Sequence, residues 1–293
     1  MTKDTDKNQA LEIKDTDSKN NRFAAPLTWD LNIWLQNPIF ADLSLLFEVA
    51  QQTDFPSPQM LSSWLPPDAG VTFVDTLLLE QDGRYYEEFI FKRKEIPTRL
   101  NNWHDFFGAL IWCLFPKTKT LLNQLHIAEI AMHGQKTRSK LRNKLTLLDE
   151  CGVLVLYQHQ AAPVIEALRQ HQWQSAFVDN RRLWQGVDAT PQLQAMIFGH
   201  ANYEMATRPF IGLTGKMLAI EVQTEFFHWP LRQRIDFIDT ELGKQIANND
   251  ILQLNNQLTP LPLLGVPGWY AANQVADFYQ DASYFRPKRT NTK

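Results

Sequence analysis

His200 and Glu204 are the two residues whose spacing points most directly to chemistry. They stand four positions apart, so on a helix the imidazole and the carboxylate share one face and can touch. A carboxylate orients a neighbouring imidazole and makes it more basic, as an acid/base pair or a metal ligand requires. Leu193 and Ile197 precede them on the same predicted stripe, which directs both polar groups toward the core. The alternative is a buried hydrogen bond that only fixes the helix.

Three further acid/base candidates lie in two other segments. His104 occupies the first turn of a predicted helix, off its apolar stripe, and we expect it to line a cleft. Asp149 and Glu150 fall in a predicted turn after an apolar run, which would place them at the rim of a pocket. Acidic residues are also common in turns that have no function. The predicted catalytic residues are His104, Asp149, Glu150, His200 and Glu204.

Basic residues supply a candidate site for an anion. Five of the nine residues 136–144 are Lys or Arg, and such a cluster can bind phosphate or another anionic group. A solvated basic face is the alternative. No aromatic residues interleave with these charges, which argues against single-stranded nucleic acid. We predict Lys117, Arg138 and Arg142 as the substrate-binding residues.

Motifs for metals and nucleotides are absent from the sequence. A structural zinc site uses four ligands, usually with paired Cys or His spacing, and the two cysteines, Cys113 and Cys151, form no such pair. There is no Walker A loop, no dinucleotide-binding glycine motif and no nucleophile elbow. The sequence therefore predicts no metal and no cofactor, and it predicts that both thiols are reduced.

The elements that must position these residues are predicted from hydrophobic periodicity. Apolar positions at helical spacing predict four helices, at residues 103–115, 118–133, 192–206 and 231–247. In the second of these helices Leu121, Leu125, Ala128 and Met132 make the apolar face.

Strands are predicted from apolar runs that flank turn residues. Residues 145–149 and 153–158 read as a hairpin with its turn at Asp149–Gly152. Residues 71–79 and 85–93 read as two further strands. Helices mixed with scattered strands, without regular βαβ alternation, predict an α+β fold, a mainly helical single domain with a few antiparallel strands.

Composition sets the broad class. The 293 residues are 44% hydrophobic, with 9 Trp and 18 Phe, which is enough for a substantial core. The net charge of −3 gives no electrostatic case for nucleic acid, and no apolar run is long enough for a membrane span. We predict a disordered leader at 1–22, one globular domain at 23–287, a basic tail at 288–293 and a cytoplasmic location.

Six separated segments together resemble a known bacterial family. The segments are NNWHDFFGALIWCLFPKTKTLLNQLH, LTLLDECGVLVL, FGHANYE, GLTGK, PLPLLGVPGWY and FYQDASYFRP. In this order they resemble the domain of unknown function 3025, over roughly residues 30–287. The resemblance implies a single domain in a cytoplasmic bacterial protein. It implies no activity and assigns no catalytic residue.

Two classes of function are consistent with the sequence. The first is an acid/base or hydrolytic enzyme that acts on an anionic substrate. The second is a non-enzymatic binding or regulatory protein, whose polar motifs are structural and whose partner is another protein. An enzyme requires His104, Glu150 and His200 to share one concave site.

Overall fold

The computed structural model of the protein describes residues 24–186, 190–248, 252 and 258–289. The predicted leader at 1–22, and residues 290–293 of the predicted tail, lie outside these residues.

Helices predominate among the described residues. In chain order the α-helices are α1 (Leu31–Gln36), α2 (Ala41–Leu46), α3 (Pro58–Trp64), α4 (Leu77–Asp82), α5 (Tyr86–Arg93), α6 (Trp103–Leu114), α7 (Pro116–His133), α8 (Lys140–Cys151), α9 (Ala162–Arg169), α10 (Arg181–Gln185), α11 (His200–Ala206) and α12 (Leu231–Asn248). The helices predicted at 103–115, 118–133 and 231–247 are confirmed.

The strands form two small sheets. They are β1 (Thr72–Asp75), β2 (Glu95–Thr98), β3 (Gly152–Tyr157), β4 (Leu193–Ile197), β5 (Thr214–Glu221) and β6 (Thr259–Pro262). One sheet pairs β1 with β2 in parallel, and the other has the order β4-β3-β5-β6. In the larger sheet, β3 runs antiparallel to β4 and parallel to β5, and β5 runs antiparallel to β6. The α+β prediction is confirmed, with mixed rather than purely antiparallel pairing.

The predicted hairpin at 145–158 is wrong. Its first half belongs to α8, which Ser139 caps by accepting a 3.1 Å hydrogen bond from the Arg142 backbone N–H. Leu145 and Leu148 are fully buried on one face of that helix. The second half is β3, whose first five residues are buried because a neighbour covers each side of the strand. A central strand appears in the sequence as a continuous apolar run. That run does not show whether the segment before it is a strand or a helix.

The single helix predicted at 192–206 is also wrong. Leu193–Ile197 forms β4, and α11 begins only at His200. Leu193 and Ile197 therefore do not share a helical stripe with His200 and Glu204. The apolar residues of β4 are buried by pairing with β3, and tertiary packing of this kind overrides a helical pattern in sequence.

The two strands predicted at 71–79 and 85–93 are correct only for β1. The chain turns into α4 because the Asp75 carboxylate accepts a 2.9 Å hydrogen bond from the Leu77 N–H. Gly83 ends α4 in the left-handed region, at φ 74°. The second predicted strand is α5, where Phe89 and Ile90 face the core.

The face of α7 that packs against the rest of the fold is more polar than predicted. Met132, expected on the apolar face, is 67% exposed, whereas Lys119, Asn123, His126 and Glu129 are buried. Helices α5, α8 and α12 pack against α7 and bring polar groups to it. A helix whose neighbours present polar groups buries polar side chains that satisfy them. One residue of this buried stripe, His126, lines the candidate site.

Candidate functional site

A cleft of about 260 Å³ opens where α5, α6, α7, α8 and α11 meet beside β2. Four of the five predicted catalytic residues line it, and they come from three different helices. Those residues are His104, Asp149, Glu150 and His200.

His104 is positioned by the start of α6. Asn102 caps this helix by accepting a 3.0 Å hydrogen bond from the Asp105 N–H. The Asp105 carboxylate in turn accepts hydrogen bonds from the backbone N–H and the guanidinium of Arg99, at 2.7 to 3.0 Å. This Arg99–Asp105 pair ties the loop after β2 to the first turn of α6, so the backbone that carries His104 is fixed.

His200 and Glu204 are positioned by the close approach of two backbones. Gly199, just before α11, lies so near the end of α8 that a Cβ there would be 2.4 to 2.5 Å from three backbone atoms of residues 150–152. Only glycine allows this approach. On α11, the Asn202 amide also donates a 2.8 Å hydrogen bond to the Cys151 carbonyl. The start of α11 is therefore held against the junction of α8 and β3.

Asp149 lies in the last turn of α8 and pairs with Lys119 from α7. Lys119 is buried, and its ammonium also lies 5.4 Å from the centroid of the Trp112 ring. An ammonium group is buried at this depth only when a carboxylate compensates its charge. The pair joins α7 to α8 at the floor of the cleft.

Two imidazoles link the carboxylates of Glu204 and Asp149. His104 Nδ1 lies 2.9 Å from Glu204 Oε2, and His104 Nε2 lies 3.0 Å from His200 Nε2. His200 Nδ1 is 4.0 Å from Asp149 Oδ2, an electrostatic contact too long for a hydrogen bond. The predicted contact between His200 and Glu204 does not occur; His104 lies between them. Glu204 does not line the cleft itself and acts on it through its hydrogen bond with His104.

The two imidazoles have pKa values shifted in opposite directions. The hydrogen bond to Glu204 raises the pKa of His104, and this effect outweighs partial burial. Burial lowers the pKa of His200 to about 4, although the Asp149 charge opposes it. Burial opposes ionisation of Asp149, but Lys119 and the neighbouring imidazoles together outweigh it, and the carboxyl pKa is below its usual range.

These pKa shifts indicate which nitrogens carry protons in the series Glu204, His104, His200 and Asp149. His200 is neutral near pH 7, so one of its nitrogens accepts and the other donates. If Nδ1 carried the lone pair, that lone pair would face the Asp149 carboxylate, which is unfavourable. His200 therefore carries its proton on Nδ1 and accepts at Nε2 from His104. His104 then donates from both nitrogens in its protonated form, to His200 and to Glu204.

Arg138 and Glu150 lie on the wall of the cleft formed by α8. Arg138 Nη2 donates a 3.0 Å hydrogen bond to Thr146 Oγ1. Glu150 is exposed and follows Thr146 by one helical turn. Within the described part of the chain, neither charge has an ion-pair partner.

Arg142 and Lys117 lie elsewhere. The Arg142 side chain is 1% exposed, and its Nη1 donates to the carbonyls of Gly134, Gln135 and Thr137, so it holds the loop between α7 and α8. Lys117 lines a larger cavity of about 840 Å³ between α7 and α12. The buried carboxylate of that cavity, Asp239, is occupied in accepting the N–H groups that begin α7. We therefore place the candidate site in the smaller cleft, where polar atoms lack partners and pKa values are shifted.

Sequence reasoning missed three residues that line or support the cleft: Lys119, His126 and Glu87. His126 is 7% exposed, and burial lowers its pKa to about 4. Burial raises the pKa of Glu87, although Asn123 donates a 2.6 Å hydrogen bond to its carboxylate. The signal in the sequence was the helical spacing of Lys119, Asn123 and His126, a polar stripe on a helix that lies inside the fold.

The described residues contain no group of three His, Cys, Asp or Glu side chains arranged to hold a metal ion. Both cysteines are free thiols, and burial raises the pKa of the Cys113 thiol. No helix within the described ranges has the length and apolar character that crossing a bilayer requires.

Residues 71–289 match the model of a family described as protein of unknown function, DUF3025. The chain belongs to this family. The DUF3025 match contains every residue that lines the cleft, together with Glu204. It begins after α1–α3, which the sequence resemblance had included. No curated protein and no solved structure matches the chain.

Proposed function

We propose that this DUF3025 protein is an enzyme of acid/base, hydrolytic type that acts on a small substrate with an anionic group. The observation that supports the proposal is the chain Glu204–His104–His200, which opens into a cleft and ends beside Asp149. His104 is the central group. The hydrogen bond to Glu204 raises its pKa above that of an ordinary imidazole, which favours the protonated form that a general acid needs.

Each polar residue of the cleft has a part in this proposal. Glu204 orients His104 and stabilises its protonated form. His104 Nε2 and His200 Nε2 face each other at 3.0 Å, so the substrate and its attacking water must enter between the two imidazoles. There His104 gives a proton to the leaving group and neutral His200 takes one from water. Asp149 stabilises positive charge on His200, and Glu150 adds a carboxylate at the open side. Arg138 binds the anionic group of the substrate. Neither Ser nor Cys lines the described cleft, so we propose water as the attacking group.

The test is an assay of wild type against chromogenic carboxylic esters and phosphate monoesters, compared with His104→Gln. Removal of a general acid/base lowers kcat/KM by about 100-fold or more. His159→Gln is the matched control, because the His159 side chain is 87% exposed and lies outside the cleft. Equal turnover by wild type and His104→Gln would show that His104 is not catalytic.

Glu204→Gln provides a second readout that does not depend on the substrate. The amide keeps a hydrogen-bond acceptor but loses the charge, so the pKa of His104 should fall. A pH titration of the imidazole resonances by NMR measures this fall directly. An unchanged His104 titration would contradict the role given to Glu204.

The alternative proposal is a non-enzymatic binding or regulatory protein with a protein partner. The internally compensated groups favour it, since Arg142 and the Lys119–Asp149 pair already stabilise the fold. Under this alternative, His104→Gln changes stability and partner binding but no turnover.

We also propose a bacterial cytoplasmic location. Two free cysteines fit a reducing compartment, and the sequence resemblance implies a bacterial origin.

A further inference from the structure

The unpaired charges of the cleft are of opposite sign. Lys119 is paired with Asp149, Arg99 with Asp105, and His104 with Glu204. Within the described residues, three charged side chains of the lining have no ion-pair partner: Arg138, Glu150 and Glu87. The Glu87 carboxylate accepts a hydrogen bond from Asn123, which leaves Arg138 and Glu150 as the charges without compensation. An anion would be attracted by Arg138 and repelled by Glu150.

The two charges are close to each other in space, although twelve positions separate them in sequence. Arg138 precedes α8, but its guanidinium reaches along the helix to Thr146 Oγ1 at 3.0 Å. Thr146 and Glu150 are four residues apart on α8, so their side chains are neighbours on one face. The Arg138 guanidinium, held at Thr146, and the Glu150 side chain therefore lie on one face of α8, at backbone positions about one helical turn apart.

A second observation, on the α7 side of the cleft, also points to a ligand. His126 lines the cleft, is more than nine-tenths buried and makes no hydrogen bond to any described residue. Its buried Nδ1 has no hydrogen-bond partner among the described residues. Arg138 is near enough for its charge to act on His126. A buried polar group without a partner is costly unless a ligand or water satisfies it.

We propose that the substrate of the cleft is a small zwitterion, an amino acid whose ammonium and carboxylate groups stand on one carbon. Arg138 binds the carboxylate with His126 as a further hydrogen-bonding group, and Glu150 binds the ammonium. The buried side chains of Ala109 and Trp112 give the apolar body of the ligand a surface to contact. That the bound amino acid reacts rests on the proposed function, whereas its binding to the cleft is measured without any assay of turnover.

The volume of the cleft limits the size of the ligand. Each water in the liquid takes about 30 Å³, so 260 Å³ holds a molecule of about ten non-hydrogen atoms. Single amino acids fall in this range.

The test uses isothermal titration calorimetry with the twenty proteinogenic L-amino acids. The tightest binder is then compared with its N-acetyl derivative, which keeps only the carboxylate, and with its amide, which keeps only the ammonium. We expect each blocked form to bind about tenfold more weakly than the zwitterion, or about 1.4 kcal/mol. An N-acetyl form that binds as tightly as the zwitterion would overturn the role of Glu150, and no binding by any amino acid would overturn the proposal.

Two variants assign the charges. Arg138→Gln should weaken the zwitterion and its N-acetyl form about tenfold and leave the amide unchanged. Glu150→Gln should weaken the zwitterion and the amide and leave the N-acetyl form unchanged. Lys136→Gln and Glu80→Gln are matched controls, because both residues are exposed and lie outside the cleft.

His104→Gln separates this inference from the proposed function. The variant should still bind the amino acid, because His104 contacts neither of the proposed charge-binding groups. Binding without turnover in wild type would contradict the catalytic proposal alone. Turnover of simple esters without amino-acid binding would contradict the zwitterion alone.

Discussion

His104 and His200 show how two imidazoles in contact take different protonation states. Their Nε2 atoms are 3.0 Å apart, a distance at which two cations would repel strongly. The fold avoids this by exposing His104 beside Glu204 and burying His200, so one proton is shared by the pair. A site built in this way can move a proton without a large change in net charge.

His126 makes the stability of the protein sensitive to acid. Its folded pKa is about 4, whereas the unfolded chain has the ordinary value near 6.5. Between these values the unfolded state binds the proton and the folded state does not. Stability therefore falls as the pH falls from 6.5 to 4, by up to about 3 kcal/mol for this group. His126→Leu should make that dependence shallower without abolishing it, because the pKa of buried His200 is also about 4. Urea unfolding at a series of pH values measures the change.

His159→Leu is the matched control for this prediction. The His159 side chain is 87% exposed, and its replacement should leave the dependence close to that of wild type. If His126→Leu and wild type lose stability equally between pH 6.5 and 4, the burial of His126 is not the cause of acid sensitivity.

At the residue scale, the sequence identifies candidates but not their partners. His104, Asp149, Glu150 and His200 meet at one cleft, as an enzyme would require. Their pairings depend on contacts about 100 residues apart in sequence, such as His104 with Glu204. Local spacing cannot show such contacts. It predicted a His200–Glu204 bond because both residues lie on one helix, whereas each of them takes its hydrogen bond from His104 of a different helix, α6.

The junction of α8 and β3 is the element that most constrains the site. Cys151 ends the helix and Gly152 begins the strand, with no loop between them. Asp149 and Glu150 therefore project from the last helical turn directly above a central strand. Gly199 packs against this junction from the start of α11. The relative positions of Asp149 and His200 depend on that one backbone contact.

Gly199→Ala tests this dependence. The added Cβ would meet backbone atoms at 2.4 to 2.5 Å, and backbone cannot move aside as a flexible side chain can. We expect a loss of stability of about 1–3 kcal/mol, because α11 must move away from the α8–β3 junction. The NMR titrations of His104 and His200 should also change, since their distance from Asp149 depends on this contact.

Gly108→Ala is the control for steric effects at a glycine of the same cleft. Its Cβ would lie 3.9 Å from the His200 ring, an ordinary contact. Within α6, alanine gains up to about 1 kcal/mol over glycine from helix propensity. If Gly199→Ala is as stable as wild type in thermal melts, close packing at Gly199 does not hold α11 against the α8–β3 junction.

At the element scale, long amphipathic helices were predictable, whereas abrupt changes from helix to strand, or from strand to helix, were not. Helix α12 follows its apolar stripe, and Ile235, Ile238 and Leu242 are all fully buried. The segments 145–158 and 192–206 each contain a helix and a strand joined within two residues. A window long enough to show periodicity averages over such a change. The capping Ser139 and the tightly packed Gly199 were the local signals of the boundaries.

The whole molecule is held together by one continuous hydrophobic cluster. It runs from Ile33 in α1 to Phe285 near the end of the described chain. At one end, Trp29 stacks on Trp34 and Trp103 with ring centroids 5.4 and 5.1 Å apart. At the other end, Tyr279, Tyr284 and Phe285 of the C-terminal segment are buried beside Leu264 and Gly265, just after β6. The composition predicted a core of this size, but not that residues far apart in sequence would close it.

Tyr284 joins the C-terminal segment to the larger sheet. Its hydroxyl donates a 2.6 Å hydrogen bond to the Leu213 carbonyl and accepts a 2.9 Å bond from the Leu264 N–H. The ring is buried against Phe278 and Phe285. Both backbone groups would lose a partner in Tyr284→Phe, and a buried polar group left unpaired costs about 1–3 kcal/mol.

If residues 23–287 form a single domain, this loss must appear throughout the molecule. Urea unfolding followed by far-UV circular dichroism and by tryptophan fluorescence should give one coincident transition in wild type. Tyr284→Phe should shift both signals equally, although the Trp29–Trp34–Trp103 cluster lies on elements far from it in sequence. Val275→Ala, at a position 60% exposed in the same segment, should shift neither by more than about 0.5 kcal/mol. Two transitions, or a shift confined to one signal, would divide the chain into separate folding units.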